Sequence, residues 1–234
     1  MSILEHEQPT TAAMPYSLRP MLPEDAQAVA EIEREAFPTT WPPTPFRKEL
    51  HNRLARYLVS YRPSDDVDVE EMERVREEPA PAGSLLSRLL QGLWPRVGRQ
   101  PVEGGGPRQL IPGYVGMWFM ADEAHITAIA VREAYRGRGI GELLLIGSVE
   151  LSILRKAREV TLEVRVTNDL AQALYRKYGF ETAGVRKRYY TDNNEDAYIM
   201  TTGAIQSAEY RQELDARVRE HARRWGDSER VLIL

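Results

Sequence analysis

The sequence predicts an α/β fold in which helices flank a mixed central sheet, and three observations carry that expectation. Apolar residues recur at helical spacing in several separate segments, strand-like apolar runs lie between them, and a glycine-rich turn stands where one run passes into a helix. With 234 residues, one core with extensions is expected rather than two domains. The organisation reads as a flexible tail at 1–16, a core at 17–204 interrupted by an insertion at 62–111, and a helical extension at 205–234.

The elements follow in order. Residues 1–15 carry little pattern, whereas Pro23, Glu24 and Asp25 open an acidic first turn, after which Ala26, Val29, Ala30, Ile32, Ala36 and Phe37 mark a helix. The four prolines of 38–45 remove backbone donors, so this segment is a loop. A short helix around Phe46 to Asn52 and a strand from Arg56 to Tyr61 come next. The insertion is acidic at first and rich in Gly and Pro at its end; between these parts Leu85, Leu86, Leu89, Leu90 and Leu93 share one helical face with Arg88 opposite.

Gly113–Met120 and His125–Val131, separated by Asp122 and Glu123, form an antiparallel hairpin. The helix after the glycine turn shows a stripe of Ile140, Leu143, Leu144, Gly147, Leu151 and Leu154, with basic residues near its C-terminal end. A strand from Val160 to Val166 leads to a helix over Asp169–Tyr178, capped by Asn168 and Gly179. Strands at Phe180–Tyr190 and Asp196–Thr202 close the core. From Ile205 a charged helix carries Tyr210, Leu214, Val218 and Trp225 in a stripe.

Composition excludes several functions. Hydrophobic residues at 42% and charged residues at 28% suit a soluble globular protein, and a net charge of −4 speaks against a general nucleic-acid binder. No run approaches the roughly 18 apolar residues of a membrane span, and the first residues lack the pattern of a secretory signal, so a cytoplasmic location is expected. Without cysteine there is no thiolate nucleophile and no disulfide. The histidines, His6, His51, His125 and His221, are scattered with no helical pair, so no metal is expected.

Chemistry concentrates in Arg136-Gly137-Arg138-Gly139-Ile140-Gly141. Glycines there admit a phosphate to the backbone amides, the helix start adds positive potential, and Arg136 and Arg138 add charge at the rim. The competing reading is a turn in which glycine only supplies positive φ. A P-loop would need Lys after the last glycine, and a dinucleotide fingerprint would need glycine at 142; both fail because Glu142 stands there. Along Val160–Val166 the alternation sets Thr161, Glu163 and Arg165 on the polar face. A carboxylate there is suited to take a proton from an amine, although a solvated strand residue paired with Arg165 or a lysine is the plainer alternative. Tyr175 shares a helical stripe with Ala171, Leu174 and Tyr178 and so reads equally as core; its phenol is also a competent proton donor.

Arg136-x-x-Gly139-x-Gly141 resembles the signature of the GNAT superfamily of N-acetyltransferases. The segments LRPMLPEDAQAVAEIEREAFP, EAHITAIAVREAYRGRGIGELLL, LEVRVTNDLAQALYRKYGF and RKRYYTDNNEDAYIM are similar to its RimI branch, the ribosomal-protein alanine N-acetyltransferases, over about 17–61 and 112–203. The resemblance implies the fold of that superfamily and acetyl-CoA as co-substrate, with its pyrophosphate on the glycine loop, Ile129, Ala130 and Val131 beside its arm and thioester, and Asn168 touching the arm. It further implies Glu163 as general base and Tyr175 as general acid in direct attack by an amine. The acceptor, a protein N-terminus and in particular that of a ribosomal protein, is expected between Phe37–Phe46 and Arg188–Asp196, with Phe37, Trp41, Tyr189 and Tyr190 as its contacts. Asp192, Glu195 and Asp196 would suit a basic segment. The long insertion and the last helix depart from the branch pattern. Two rivals remain: an acetyltransferase for another amine, such as lysine, a polyamine or an antibiotic, and an acyl-CoA-binding regulator without turnover.

Overall fold

The computed structural model describes residues 13–37, 43–62 and 109–233. The expected amphipathic segment at 85–93, most of the insertion and Trp41 lie outside them. Strand β1 (Ser17–Pro20) leads through a 3-10 turn at Pro23–Asp25 into α1 (Ala26–Ala36). Helix α2 (Phe46–Glu49) and β2 (Ala55–Arg62) follow, then β3 (Leu110–Met120), β4 (Glu123–Val131) and α3 (Ile140–Leu154). The chain continues as β5 (Glu159–Arg165), α4 (Asp169–Lys177), β6 (Phe180–Tyr190), β7 (Glu195–Thr202) and α5 (Ala208–Trp225). The seven strands make one sheet in the order β1-β2-β3-β4-β5-β7-β6. Strands β4 and β5 run parallel, with α3 as their crossover, while the β1–β2, β3–β4, β5–β7 and β6–β7 pairs are antiparallel.

Two irregularities in the sheet position everything that follows. Gly116 pairs with Ala128 but Met117 pairs with Ile126, so Thr127 is an extra residue in β4. Such a bulge reverses which side chains face which side. After it Ala130 joins Val29, Ile32, Tyr57 and Tyr114 in the cluster beneath α1. The second irregularity is a parting of strands. The β4–β5 pairing runs only from Glu123–Glu159 to Ile126–Leu162; beyond it β4 is held by β3 as far as Val131, and β5 is held by β7 through Glu163, Val164 and Arg165. The sheet therefore opens between Ile129–Val131 and Glu163–Arg165.

Helix α3 is buried more completely than its expected stripe implies. Leu145, Ile146 and Val149 are as inaccessible as Leu143 and Leu144. A β-carbon at Gly147 would lie 2.5 Å from Leu18 Cδ1, so a larger residue there would displace the Leu18 side chain. The buried hydroxyls of Ser148 and Ser152 donate to the carbonyls of Leu145 and Ser148, both at 2.7 Å, which removes the cost of placing them in an apolar core.

Of the expected loose tail at 1–16, only residues 13–16 are among those described, and these are held by the fold. Among the described residues Met14 and Tyr16 are buried, and β1 itself gave no sequence signal. The cause is the segment after α5, which returns beside β1: the Met14 amide donates to Asp227 O, the Leu18 amide to Glu229 O and the Val231 amide to Leu18 O, at 2.8 to 2.9 Å. Arg230 grips Glu150 on α3 with two nitrogens at 2.8 and 3.0 Å. Backbone pairing to a distant segment leaves no trace in local periodicity.

Candidate active site

The glycine turn joins β4 to α3. Gly137 and Gly139 have φ of +74° and +78°, left-handed values that a β-carbon disfavours. The first bond of α3 runs from the Leu143 amide to Gly139 O at 2.9 Å, which puts the amides of Ile140, Gly141 and Glu142 in the open first turn of the helix. An anion at that end meets both these donors and the positive end of the helix dipole. A β-carbon at Gly137 would meet nothing within 4 Å, so the turn is open on that side. These features fit a pyrophosphate.

The charges around the turn are arranged accordingly. Arg136 is exposed and its Nε donates to Val131 O at 3.2 Å; Arg138 reaches Tyr16 Oη at 3.3 Å and lies over the Tyr135 ring at 4.9 Å. Glu142, which would repel an anion from the first turn, is paired with Lys177 Nζ at 2.9 Å and accepts from Tyr178 Oη at 2.8 Å.

Ile129, Ala130 and Val131 form the β4 wall of the parting in the sheet, and Glu163 stands on the β5 wall. The Glu163 side chain is only 8% exposed. Its Oε2 lies 2.7 Å from His125 Nε2 and its Oε1 lies 2.9 Å from Arg186 Nε. Burial pushes its carboxyl up, but the hydrogen bond and charge of His125 and those of Arg186 together outweigh burial and hold it below the ordinary carboxylate range. The plainer reading from the sequence, an exposed strand residue paired with Arg165 or a lysine, does not describe it, because it is buried and bound to His125 and Arg186. His125 and Arg186 are the residues that sequence reasoning passed over. His125 lies on the same face as Glu163, two residues before the parting, but only the parallel register of β4 with β5 brings them together.

Tyr175 is buried on α4, with its ring 5.8 Å from that of Phe180. Burial first and Tyr190 second push its phenol far above the usual tyrosine value, so it remains protonated at any physiological pH. Asn168 caps α4: its Oδ1 accepts from the Ala171 amide at 3.1 Å, which commits the oxygen and leaves the exposed amide end for other contacts. Gly179 follows the helix with φ +79°.

On the remaining flank, Tyr189 and Tyr190 pack edge to face at 5.2 Å at an irregularity in β6 that runs from Arg186 to Tyr190. Arg165 lies 3.9 Å from the Tyr190 ring centroid, and the phenol is pushed up to about 12, chiefly by burial. Phe37 packs at the edge of the cluster beneath α1. The loop that follows it is pinned where it re-enters the fold, since Thr44 donates to buried Glu33 from both its amide, at 2.9 Å, and its hydroxyl, at 2.5 Å.

The acidic side chains expected to suit a basic segment have partners of their own. The carboxylates of the β6–β7 turn are satisfied within the hairpin and its neighbour β5, so they do not form a free acidic surface. Arg165 binds Asp192 at 2.8 Å and Glu195 at 2.9 Å, and Lys187 binds Asp196 at 2.6 Å. Burial raises the Glu195 carboxyl, but hydrogen bonds from Thr167, Arg165 and Asn193 outweigh that and bring it down to about 2.

Comparison with known proteins adds four findings. The acetyltransferase (GNAT) family matches residues 108–180, which span β3 through α4 with the glycine turn. A Bacillus subtilis protein provisionally named [ribosomal protein bS18]-alanine N-acetyltransferase is 36% identical over 185 residues, or 79% of this chain and 93% of its own. The N-alpha-acetyltransferase RimI of Mycobacterium tuberculosis is 31% identical over 193 residues, or 82% of this chain and 94% of its own. Among solved structures, a ribosomal-protein-alanine N-acetyltransferase from Escherichia coli superposes with a TM-score of 0.56 at 22% identity, covering 83% of this chain and 97% of that one. The last likeness speaks to the fold.

Proposed function

This chain belongs to the acetyltransferase (GNAT) family of acetyl-transferring enzymes, and from that premise we propose that it acetylates the N-terminal alanine of a small-subunit ribosomal protein. The names of its relatives in Bacillus subtilis and Mycobacterium tuberculosis support a protein N-terminus as acceptor. The observation that carries the chemistry is the buried, ionised carboxylate of Glu163 at the parting of β4 from β5, held by His125 and Arg186.

Acetyl-CoA, when bound, supplies the thioester carbonyl that the amine attacks. Gly137 to Gly141 would hold its pyrophosphate on the open amides of α3, with Arg136 and Arg138 at the rim. Ile129, Ala130 and Val131 would line its arm, their backbone being released from β5. The amide of Asn168 would be a further contact.

Glu163 then accepts a proton from the incoming amine, directly or through one water. An N-terminal ammonium has an ordinary pKa of about 7.7–8.0, so at neutral pH much of it needs a base before it attacks. Because the carboxyl is held low, it is ready in its ionised form throughout the neutral range, and the amine sets the pH dependence. Tyr175, kept protonated by burial, delivers a proton to the departing thiolate. Tyr189 and Tyr190 on one flank and Phe37 on the other would clamp the acceptor, and Trp41 is a further contact that the resemblance implies. Since the acidic turn is internally paired, selection by aromatic and backbone contacts rather than by charge follows.

Incubation with acetyl-CoA and a panel of peptides differing in their first residue, read by mass, tests the reading. A gain of one acetyl group on Ala-starting peptides and not on internal lysines is expected. Acetylation of lysine, polyamine or small-molecule amines alone would overturn the acceptor assignment while leaving the family chemistry in place.

A further inference from the structure

The last helix, which has no counterpart in the branch pattern, touches the glycine turn. His221 is 3% exposed, and its Nε2 lies 3.1 Å from Gly139 O. Since a carbonyl only accepts, the imidazole must donate from Nε2. One turn further on, the Trp225 ring occupies the space where a side chain at 139 would be: a β-carbon there would lie 2.7 Å from Trp225 Cδ1 and Cγ. Helix α5 is fastened to α4 as well, with Tyr210 Oη donating to Tyr178 O at 2.9 Å and Lys177 bridging Glu142 at 2.9 Å and Glu220 at 3.4 Å. Beyond α5, Ser228 Oγ donates to Tyr16 O at 2.7 Å, and Tyr16 is the residue that Arg138 reaches.

The side of approach matters. Carbonyls at a helix start point along the axis into the helix, and the amides point the opposite way, out of its N-terminal end. Gly139 O accepts from the Leu143 amide inside α3 and from His221 at the same time. Helix α5 thus meets the turn at the Gly139 carbonyl through His221 and at the β-carbon position of Gly139 through Trp225.

We propose that α5 is a positioning element for the co-substrate: Trp225 and His221 hold Gly139 in its left-handed conformation and thereby set the affinity of the turn for the pyrophosphate of acetyl-CoA. The proposal rests on the reading of the turn as the acetyl-CoA site. It assigns to the C-terminal extension a role in binding rather than in covering the core alone, and it names no part for α5 in proton transfer.

Calorimetry with acetyl-CoA on the full-length protein and its Trp225→Ala and His221→Leu variants tests it, alongside turnover of acetyl-pantetheine, a thioester without the pyrophosphate. Each variant is expected to raise the Kd for acetyl-CoA on the order of 10-fold, within what a remote misplacement of a binding group costs. At saturating acetyl-CoA kcat should be retained, as should kcat/KM for acetyl-pantetheine. His221→Gln, which restores a donor, should recover part of the affinity. If Trp225→Ala does not fold, His221→Leu, which keeps an apolar side chain and loses the donor, decides alone. Unchanged acetyl-CoA affinity in variants with native circular dichroism would overturn the proposal, as would an equal loss with both thioesters, because a general loosening of the fold would then be the cause. Failure of the unaltered protein to bind acetyl-CoA would instead sink the assignment of the turn itself, and this proposal with it.

Discussion

At the scale of single residues, the environment of Glu163 decides whether it is suited to the proposed role of base. An unpaired buried carboxyl would rise toward neutrality and be partly protonated, but His125 and Arg186 prevent this and keep the charge available. Glu163→Gln should therefore lower kcat by roughly 10²-fold or more, the usual contribution of a general base, and leave acetyl-CoA affinity nearly intact. The deficit should shrink above about pH 8, where the amine loses its proton unaided. A small effect that stays constant from pH 6 to 9 would take Glu163 out of the mechanism. Tyr175 poses the opposite question, since a buried ring on an apolar stripe is equally well explained as packing. Tyr175→Phe keeps the ring against Phe180 and removes only the hydroxyl, so turnover should fall by roughly 10²-fold with little change in thermal midpoint. If the midpoint drops and the rate per folded molecule does not, the residue is core alone.

At the scale of elements, the strand-turn-helix unit β4-turn-α3 does two jobs through one backbone. The bulge at Thr127 and the release from β5 free the second half of β4, and the left-handed glycines aim the first turn of α3 at the same opening. Gly139→Val should abolish acetyl-CoA binding for two separate reasons: φ of +78° is strained for a β-branched residue, and its β-carbon would collide with Trp225. Calorimetry checks this, and an undiminished affinity would place the anion site elsewhere. The hairpin β6–β7 shows a different economy of charge. Its three acidic side chains were candidates for holding a basic acceptor, but Arg165 on β5 and Lys187 on β6 absorb them. A signed surface read from a linear sequence is only as free as its partners leave it.

At the scale of the whole molecule, all described candidate residues for chemistry and co-substrate binding come from segments after the insertion, from Ile129 to Tyr175. Replacing residues 63–108 by a short Gly/Ser linker should therefore preserve acetyl-CoA affinity and the rate on a small peptide, since lengthening or shortening a connection changes its closure entropy only slowly. A change confined to a full-length ribosomal acceptor would mean that the insertion borders the acceptor. Loss of acetyl-CoA binding in a folded deletion variant would contradict the assignment of the site to the remaining core.

The amino-acid sequence by itself determined the elements that rest on short-range rules. The stripe of α1, the cap at Asn168, the hairpin of β3 with β4 and the glycine turn before α3 all follow from spacing, capping and turn chemistry within a few residues. The motifs from Arg136 to Gly141 and around Glu163 likewise pointed to the family. Tertiary structure decided what depends on which strands become neighbours. The pairing of β4 with β5 brings His125 to Glu163, the place of β7 beside β5 brings the β6–β7 hairpin and with it Arg186 to the same carboxylate, and the return of the C-terminal segment turns residues 13–20 from an expected tail and unmarked stretch into packed structure. It also carried His221, one of four scattered histidines in the sequence, to the carbonyl of Gly139, 82 residues away in the chain. Periodicity reports whether a side chain is to be buried, but the partner that buries it is chosen by long-range packing, which no local pattern encodes.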